Sequence, residues 1–305
     1  MSAVAERQPP FPVAALKALR PRQWLKNGVL LVPLLFAKGI FERGLLGHSL
    51  LALASFSLLA SGVYLVNDWF DREKDRLHPE KKRRPIAAGW LAGPQVVGLV
   101  VVTWGGAFAL GAQVGTHFLA VLGGYLVLQV LYNLALKKLV ILDVMAIALG
   151  FIVRVVAGAE AIDVQVSNWL FLCTLLGAVF LGFAKRRAEI EALEEAAGAH
   201  RKNLEDYSLG MLDQMMSISA ASTILAYGLY TVSKETVDRV GSDHLKFTVP
   251  CVVYGVFRYL FLVHKRGLGG SPEKVLLSDA PLMIDAVVFL GLAAWALYGA
   301  KALAP

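Results

Sequence analysis

The chain has 305 residues, 57% of them hydrophobic and only 17% charged, with a mean hydropathy of +0.59. Soluble domains carry roughly 25% charged and 45–50% apolar residues, so this composition excludes a soluble globular protein, a disordered chain and a disulfide scaffold. The 30 Lys and Arg outnumber the 23 Asp and Glu to leave a net charge of +7, whose meaning depends on where the charges fall.

Residues 1–24 are polar and Pro-rich, without the apolar stretch of a cleavable signal peptide. Within them, Lys17 to Trp24 reads as an interfacial approach with Trp24 at headgroup depth. A spanning helix needs about 20 mostly apolar residues. Runs that meet this need lie near 25–41, 48–66, 92–112, 117–136, 139–160, 168–184, 213–232, 246–263 and 282–303. They predict an all-α polytopic bundle of nine transmembrane helices over residues 25–305, the first short and interrupted by Lys38. Cys173 and Cys251 both sit inside apolar runs, and no Cys-x-x-Cys or His/Cys metal spacing occurs, so both read as packing residues.

Cytoplasmic loops are enriched in Lys and Arg. With the N-terminus inside, 22 of the 30 basic residues fall on the inner side and five (Arg43, Lys234, Arg239, Lys246 and Lys301) on the outer. The surplus charge is therefore a topology signal, and nucleic-acid binding is a poor account of it. The expected location is a bacterial inner (plasma) membrane, with the C-terminus outside. Two cytoplasmic loops, 67–89 and 185–212, are long and charged and lie four spans apart, which suggests two four-helix halves plus a ninth helix. Gly105, Gly106, Gly123 and Gly124 permit close helix packing within one chain or between the chains of a homo-oligomer.

The first loop opens with NDWFDREKD. On a continued helix Asn67, Asp71 and Asp75 share one face, with Asp68 beside it. Asn67 and Asp75 would be roughly 12 Å apart, so one small ion cannot take all four. Asn67, Asp68 and Asp71 can supply oxygens to one Mg²⁺, which leaves Asp75 for a second ion or a substrate hydroxyl. The alternative is a solvated, salt-bridged helix end, since Arg72, Lys74 and Arg76 interleave. His78, Lys81, Arg83 and Arg84 follow, and a carboxylate–metal cluster beside cations is what a diphosphate requires. The second loop brings Lys185, Arg186 and Arg187, then Asp206, Tyr207 and Asp213; the two acids are seven residues apart and would share a helical face. Lys26 approaches the same rim. Tyr64, one turn before the first motif, could reach a headgroup or sugar, or simply pack at the interface. Asp143 and Arg154 share a face within one span, either as an ion pair or with Arg154 as a binding residue.

NDWFDREKD after the second span, a second acidic segment after the sixth, nine spans and RPRQWLKN before the first together resemble the UbiA superfamily of intramembrane prenyltransferases. The strings NDWFDREKDRLHPEKKRRPIAAG, LDVMAIALGFIVRVVAGA and LGFAKRRAE are similar to its decaprenyl-phosphate phosphoribosyltransferase branch. The wide spacing of Asp206 and Asp213 departs from the superfamily's usual D-x-x-x-D, in agreement with a changed donor. The resemblance implies an enzyme in which Asp68, Asp71 and Asp75 serve Mg²⁺-dependent transfer of 5-phosphoribose from phosphoribosyl pyrophosphate to a polyprenyl phosphate. Its product would feed arabinose-donor synthesis for the cell wall. A prenyl transfer from prenyl diphosphate to an aromatic or lipid acceptor keeps the same fold. A transporter of phosphorylated solutes fits less well, because its polar site would lie at mid-membrane rather than at the rim.

Orientation is the first test. A cysteine introduced within 77–83 or 196–200 is expected to react with a membrane-impermeant maleimide in inside-out vesicles only. Labelling in intact cells would reverse the topology.

Overall fold

The computed structural model describes residues 9–78, 81–195, 206–270 and 272–299, with side chains also omitted at 192–195 and 273. The 196–200 stretch and Arg201 and Lys202 thus lie outside the described residues. Every regular element among those described is helical. The protein is a multi-pass membrane protein: eight described helices are long and apolar enough to cross a bilayer.

An interfacial helix α1 (Phe11–Leu19) leads to a 3-10 segment (Pro21–Leu31) and a short α2 (Val32–Phe36). The expected first span, 25–41, is therefore not one long α-helix. Polar Asn27 and Gly28 stand in its middle and Pro33 cannot donate a backbone hydrogen bond, so the tighter 3-10 winding takes over. At roughly 2.0 Å per 3-10 residue, this segment with α2 reaches about 30 Å, close to the hydrocarbon thickness. Its ends meet opposite ends of the bundle: Arg20 pairs with Asp68 at one, and Lys38 Nζ donates to the Val240 carbonyl (2.7 Å) at the other.

Next comes α3 (Arg43–Leu77), 35 residues long, which carries the acidic string on the same helix as the span. Then α4 (Gly93–Val114), α5 (Thr116–Leu134) and α6 (Leu142–Glu160) complete a first half. Their core joins Phe56, Leu59, Phe118, Leu122 and Tyr125 to Leu30 of the 3-10 segment. The second half begins with α7 (Asn168–Glu195), whose helix runs on past the expected end, so Lys185, Arg186 and Arg187 are helical rather than in a loop. It continues through α8 (Leu209–Val232), short α9 (Lys234–Val240), α10 (Val249–Arg266), short α11 (Pro272–Ser278) and α12 (Ala280–Tyr298). Phe180, Phe183, Leu212, Met216, Tyr259 and Leu262 form its core. At the end away from the acidic string, Leu35 and Phe36 pack on Val240, Leu245, Ala296 and Leu297, which closes the first passage against the last helix.

Close approach sets where the 3-10 segment lies. A Cβ on Gly158 of α6 would stand 1.9 Å from the Leu30 carbonyl oxygen. By contrast, nothing lies within 4 Å of a Cβ added to Gly123 of α5. Gly158→Ala should therefore destabilise the bundle by about 1–3 kcal/mol, the usual cost of overpacking. Gly123→Ala should be neutral or slightly stabilising, since alanine favours a helix. Thermal unfolding in detergent compares the two, and equal midpoints would mean the backbones are not in contact.

Candidate active site

The acidic end of α3 is held by the chain before it and the chain after it. After α3, one helical turn brings the Ala88 N–H to the Arg84 carbonyl (2.8 Å), and Gly89 ends it at φ +75, where a side chain would be strained. Ile86 and Leu91 bury beside Ala14, Ala18 and Leu65, so this loop folds back on α1 and α3. Arg76 Nε donates to the Ala87 carbonyl (3.1 Å) and ties the two together.

That fold-back aims Arg84 at the acids. One nitrogen of its guanidinium donates to Asp68 Oδ1 (3.1 Å) and to Asp75 Oδ2 (2.6 Å). Two carboxylates two turns apart thus converge on a single point, closer than the spacing along the helix suggested. From the other side Arg20 pairs with both oxygens of Asp68, one of them at 2.6 Å, while its guanidinium lies 5.2 Å from the Tyr64 ring centroid. Asp68 and Asp75 are 3% and 5% exposed. Asp71, on the turn between, makes no side-chain hydrogen bond or ion pair among the described residues. The Asn67 amide oxygen accepts from Asn133 of α5 (2.8 Å), so of the expected metal set Asn67 is already engaged.

A second cluster surrounds Asp143 at the start of α6. It accepts from Arg186 Nε (2.5 Å) and from the Tyr207 hydroxyl (2.9 Å). Arg186 also bonds Glu189 and the Tyr132 hydroxyl. Of the two readings of Asp143 and Arg154, the ion pair between them does not form. Arg154 lies about 16 Å further along α6 and donates to Asn27 Oδ1 (2.8 Å), the Gly150 carbonyl (2.7 Å) and the Tyr125 hydroxyl (3.1 Å). All its nitrogens are engaged within the protein, so the structure places it in the bundle interior and not at the rim.

In the third cluster Asp213 Oδ1 accepts from Arg187 Nε (2.7 Å) and faces His264 Nε2 (3.1 Å), and Arg187 also donates to Glu191 (3.0 Å). Asp206 does not join it. Ser208 caps α8 by accepting from the Met211 N–H (3.2 Å), so Asp206 lies before the helix, exposed, and the expected shared face with Asp213 is not realised. Lys26 lies on the 3-10 segment and Lys81 in the turn after α3, where its backbone N–H donates to His78 Nδ1 (3.3 Å). Lys185 stands beside Arg186 on α7.

All three clusters are at one end of the bundle, which joins both acidic segments as expected. Sequence reasoning missed Arg20 as a site residue, along with Tyr132, Asn133 and His264. The available signal for Arg20 was its place in RPRQWLKN, in a short link between two helical segments. Among the described residues no three His, Cys, Asp or Glu side chains stand close enough to hold an ion between them. The donor set nevertheless suits a hard cation. Magnesium takes one or two carboxylates and fills its remaining positions with phosphate oxygens and water, and Asp68 and Asp75 already converge on one point beside Asp71.

Residues 28–233 match the model of the UbiA prenyltransferase family. The chain belongs to that family. It is thus a transferase of the UbiA group, and relatives resemble it along nearly its whole length. Decaprenyl-phosphate phosphoribosyltransferase of Mycolicibacterium smegmatis is 32% identical over 301 residues, 93% of this chain and 92% of that one. The protein of the same name from Mycobacterium tuberculosis is 34% identical over 300 residues, 95% and 97% of the two chains. Among solved structures, a UbiA homologue from Archaeoglobus fulgidus bound to GPP and Mg²⁺ superposes with a TM-score of 0.69 at 19% identity, covering 93% of this chain and 99% of its own.

Tyr207 links two of these features. Burial, chiefly, pushes its phenol above the ordinary value; the Ile141 N–H opposes this and Asp143 adds to it, so the group stays protonated and donates. Its oxygen accepts from the Ile141 N–H (2.6 Å), and Ile141 holds a φ of +69, unusual for a β-branched residue. Tyr207→Phe leaves that N–H and Asp143 each short of a partner, and should cost about 1–3 kcal/mol of stability. Unfolding in detergent measures it, and a change within error would mean the hydroxyl holds neither group.

Proposed function

We propose that this protein transfers 5-phosphoribose from phosphoribosyl pyrophosphate to a decaprenyl or similar polyprenyl phosphate, releasing pyrophosphate, at the cytoplasmic face of a bacterial plasma membrane. The observation that carries the reading is the 32–34% identity to the mycobacterial phosphoribosyltransferases across more than nine-tenths of each chain. Separate cation–carboxylate clusters at one end of the bundle support it. The donor has phosphate at both ends, and a prenyl diphosphate at only one. Counting the 3-10 passage as a ninth crossing would set the termini on opposite sides, and the excess of basic residues on one side favours the N-terminus inside.

In this reading Asp68 and Asp75 would hold Mg²⁺ beside the pyrophosphate, with Asp71 on the turn between them. When bound, the ion draws off the charge that develops on the departing group. Arg84, Arg20 and Lys81 neutralise the remaining phosphate oxygens by charge-assisted hydrogen bonds. Lys185, Arg187 and Lys26 serve the 5-phosphate or the phosphate of the acceptor lipid. Tyr64, carrying Arg20 on its ring, lines the sugar side. The acceptor oxygen is anionic at neutral pH and attacks the anomeric carbon without a strong general base. The rim position lets a water-soluble donor meet a lipid whose chain stays in the bilayer.

Purified protein with Mg²⁺, labelled phosphoribosyl pyrophosphate and polyprenyl phosphate should move the label into the lipid phase, and EDTA should stop it. The rival pair is labelled prenyl diphosphate with an aromatic acid. Transfer with the rival pair alone would replace this function by ordinary prenyl transfer.

A further inference from the structure

The carboxylate oxygens that would bind a divalent ion are the ones Arg20 and Arg84 now bind. Arg84 bridges Asp68 (3.1 Å) and Asp75 (2.6 Å), and Arg20 takes both oxygens of Asp68. The two acids are almost fully buried, whereas the two arginine side chains are 25% and 30% exposed. The acids are thus fixed by the helix, and the cations reach in from flexible stems on separate segments.

We infer that Arg20 and Arg84 are built-in counter-ions that compete with the metal for Asp68 and Asp75, so that the ion and the diphosphate bind as one unit and each poorly alone. This rests on the metal–diphosphate reading above and goes beyond it. Asp68, Asp75, Arg20 and Arg84 together carry no net charge, and Asp71 adds one negative charge on the turn between the two acids. A divalent ion entering alone adds positive charge and must displace guanidinium groups that then lack an acceptor. A diphosphate entering alone finds its arginines occupied by carboxylates. When both enter, the metal takes the carboxylates and the released guanidinium groups turn to phosphate oxygens, so every charge keeps a partner. Breaking a buried pair from one side is costly because the other charge is stranded, and this exchange strands neither. The cooperativity comes from differential interaction, and thermodynamic linkage makes it reciprocal.

Arg20 is the more informative of the two. It sits at φ +54 between α1 and the 3-10 segment, a backbone conformation uncommon for arginine, so its position is imposed by the junction. It bonds Asp68 alone of the acids and rests on Tyr64, whereas Arg84 also joins Asp75. Arg20→Gln should thus remove one of the two cations on Asp68 and leave Arg84 bridging Asp68 and Asp75.

Calorimetry on the full-length protein in detergent, with Mg²⁺ alone, pyrophosphate alone and each in the presence of the other, reads the coupling once the Mg²⁺–pyrophosphate association in buffer, titrated without protein, is subtracted. Wild type should bind the pair at least tenfold more tightly than the separate affinities predict, within the usual range of about five- to 150-fold. In Arg20→Gln, Mg²⁺ alone should bind several-fold more tightly, pyrophosphate should bind less tightly, and the coupling should fall. Arg84→Gln should move all three in the same direction and is the second variant if the first misfolds. A metal affinity that is unchanged or reduced in the folded variant overturns the counter-ion proposal while leaving the metal–diphosphate reading standing. Failure of wild type to bind Mg²⁺ and pyrophosphate together overturns both.

Discussion

Arg154 sets the terms on which the bundle assembles, because a guanidinium group buried inside a membrane helix must find its acceptors within the protein. Its partners lie on three elements: Gly150 on α6, Tyr125 on α5 and Asn27 on the 3-10 segment. Asn27 in turn donates to Ser57 of α3 (3.0 Å). A polar residue that would interrupt an ordinary spanning helix here fixes the register of the first passage. Once Asn27 is fixed, the chain six to seven residues earlier must arrive at the level of Asp68, where Arg20 meets it. The position of a rim cation is thereby set by a hydrogen bond deep in the bundle.

At the rim the same constraint works at a different depth. Asp68, Asp75 and Asp143 are each nearly buried, and each is answered by an arginine from another segment: residues 20, 84 and 186. Losing one partner of such a pair costs about 3–5 kcal/mol, whereas the intact pair adds little net stability. The pairs are therefore better understood as placing charge than as holding the fold, which Phe56, Leu59, Leu122 and Leu262 do by burial. Arg258 is the counterexample that marks the distinction. Its bidentate pair with Asp279 sits where Asp279 also caps α12 through the Leu282 N–H (3.1 Å), a joint between α10 and α12.

Much of this could be read in the sequence, for physical reasons particular to each part. Eight helices follow from apolar length alone. The acid face of α3 follows from helical periodicity, and Arg84 from its place after the acids. The first passage escaped because a 3-10 segment has no hydropathy signature of its own, and Asn27 acquires its meaning only through Arg154, 127 residues away. Arg20 escaped for the same reason, its carboxylate lying 48 residues on. A shared helix face makes an ion pair of Asp143 and Arg154 one of two readings of the sequence. The geometry favours Arg186 because Asp143 lies at the rim end of α6, opposite the rim end of α7. Asp206 was aligned with Asp213 by counting turns, and the cap at Ser208 starts the helix too late for that count.

The likeness to the Archaeoglobus structure, at 19% identity, establishes the fold alone and leaves the donor open. A prenyl diphosphate and phosphoribosyl pyrophosphate both offer a diphosphate, so Asp68, Asp71, Asp75 and Arg84 would serve either equally. Discrimination has to come from groups that meet the other end of the donor: a hydrocarbon chain in one case, a sugar phosphate in the other. The first wants apolar lining at depth and the second wants cations at the surface. Arg187 is held at the surface end of α7 by Asp213 and Glu191, two acids that a phosphate would replace as its partners. Asp213 Oδ1 also faces His264 Nε2, 3.1 Å away. The third cluster inverts the burial of the first: here the arginine is buried and its two carboxylates are part-exposed, where an incoming phosphate would compete with them. Under the proposed function it is therefore the α7–α8 end of the rim, and not the acidic string of α3, which would decide between the two donors.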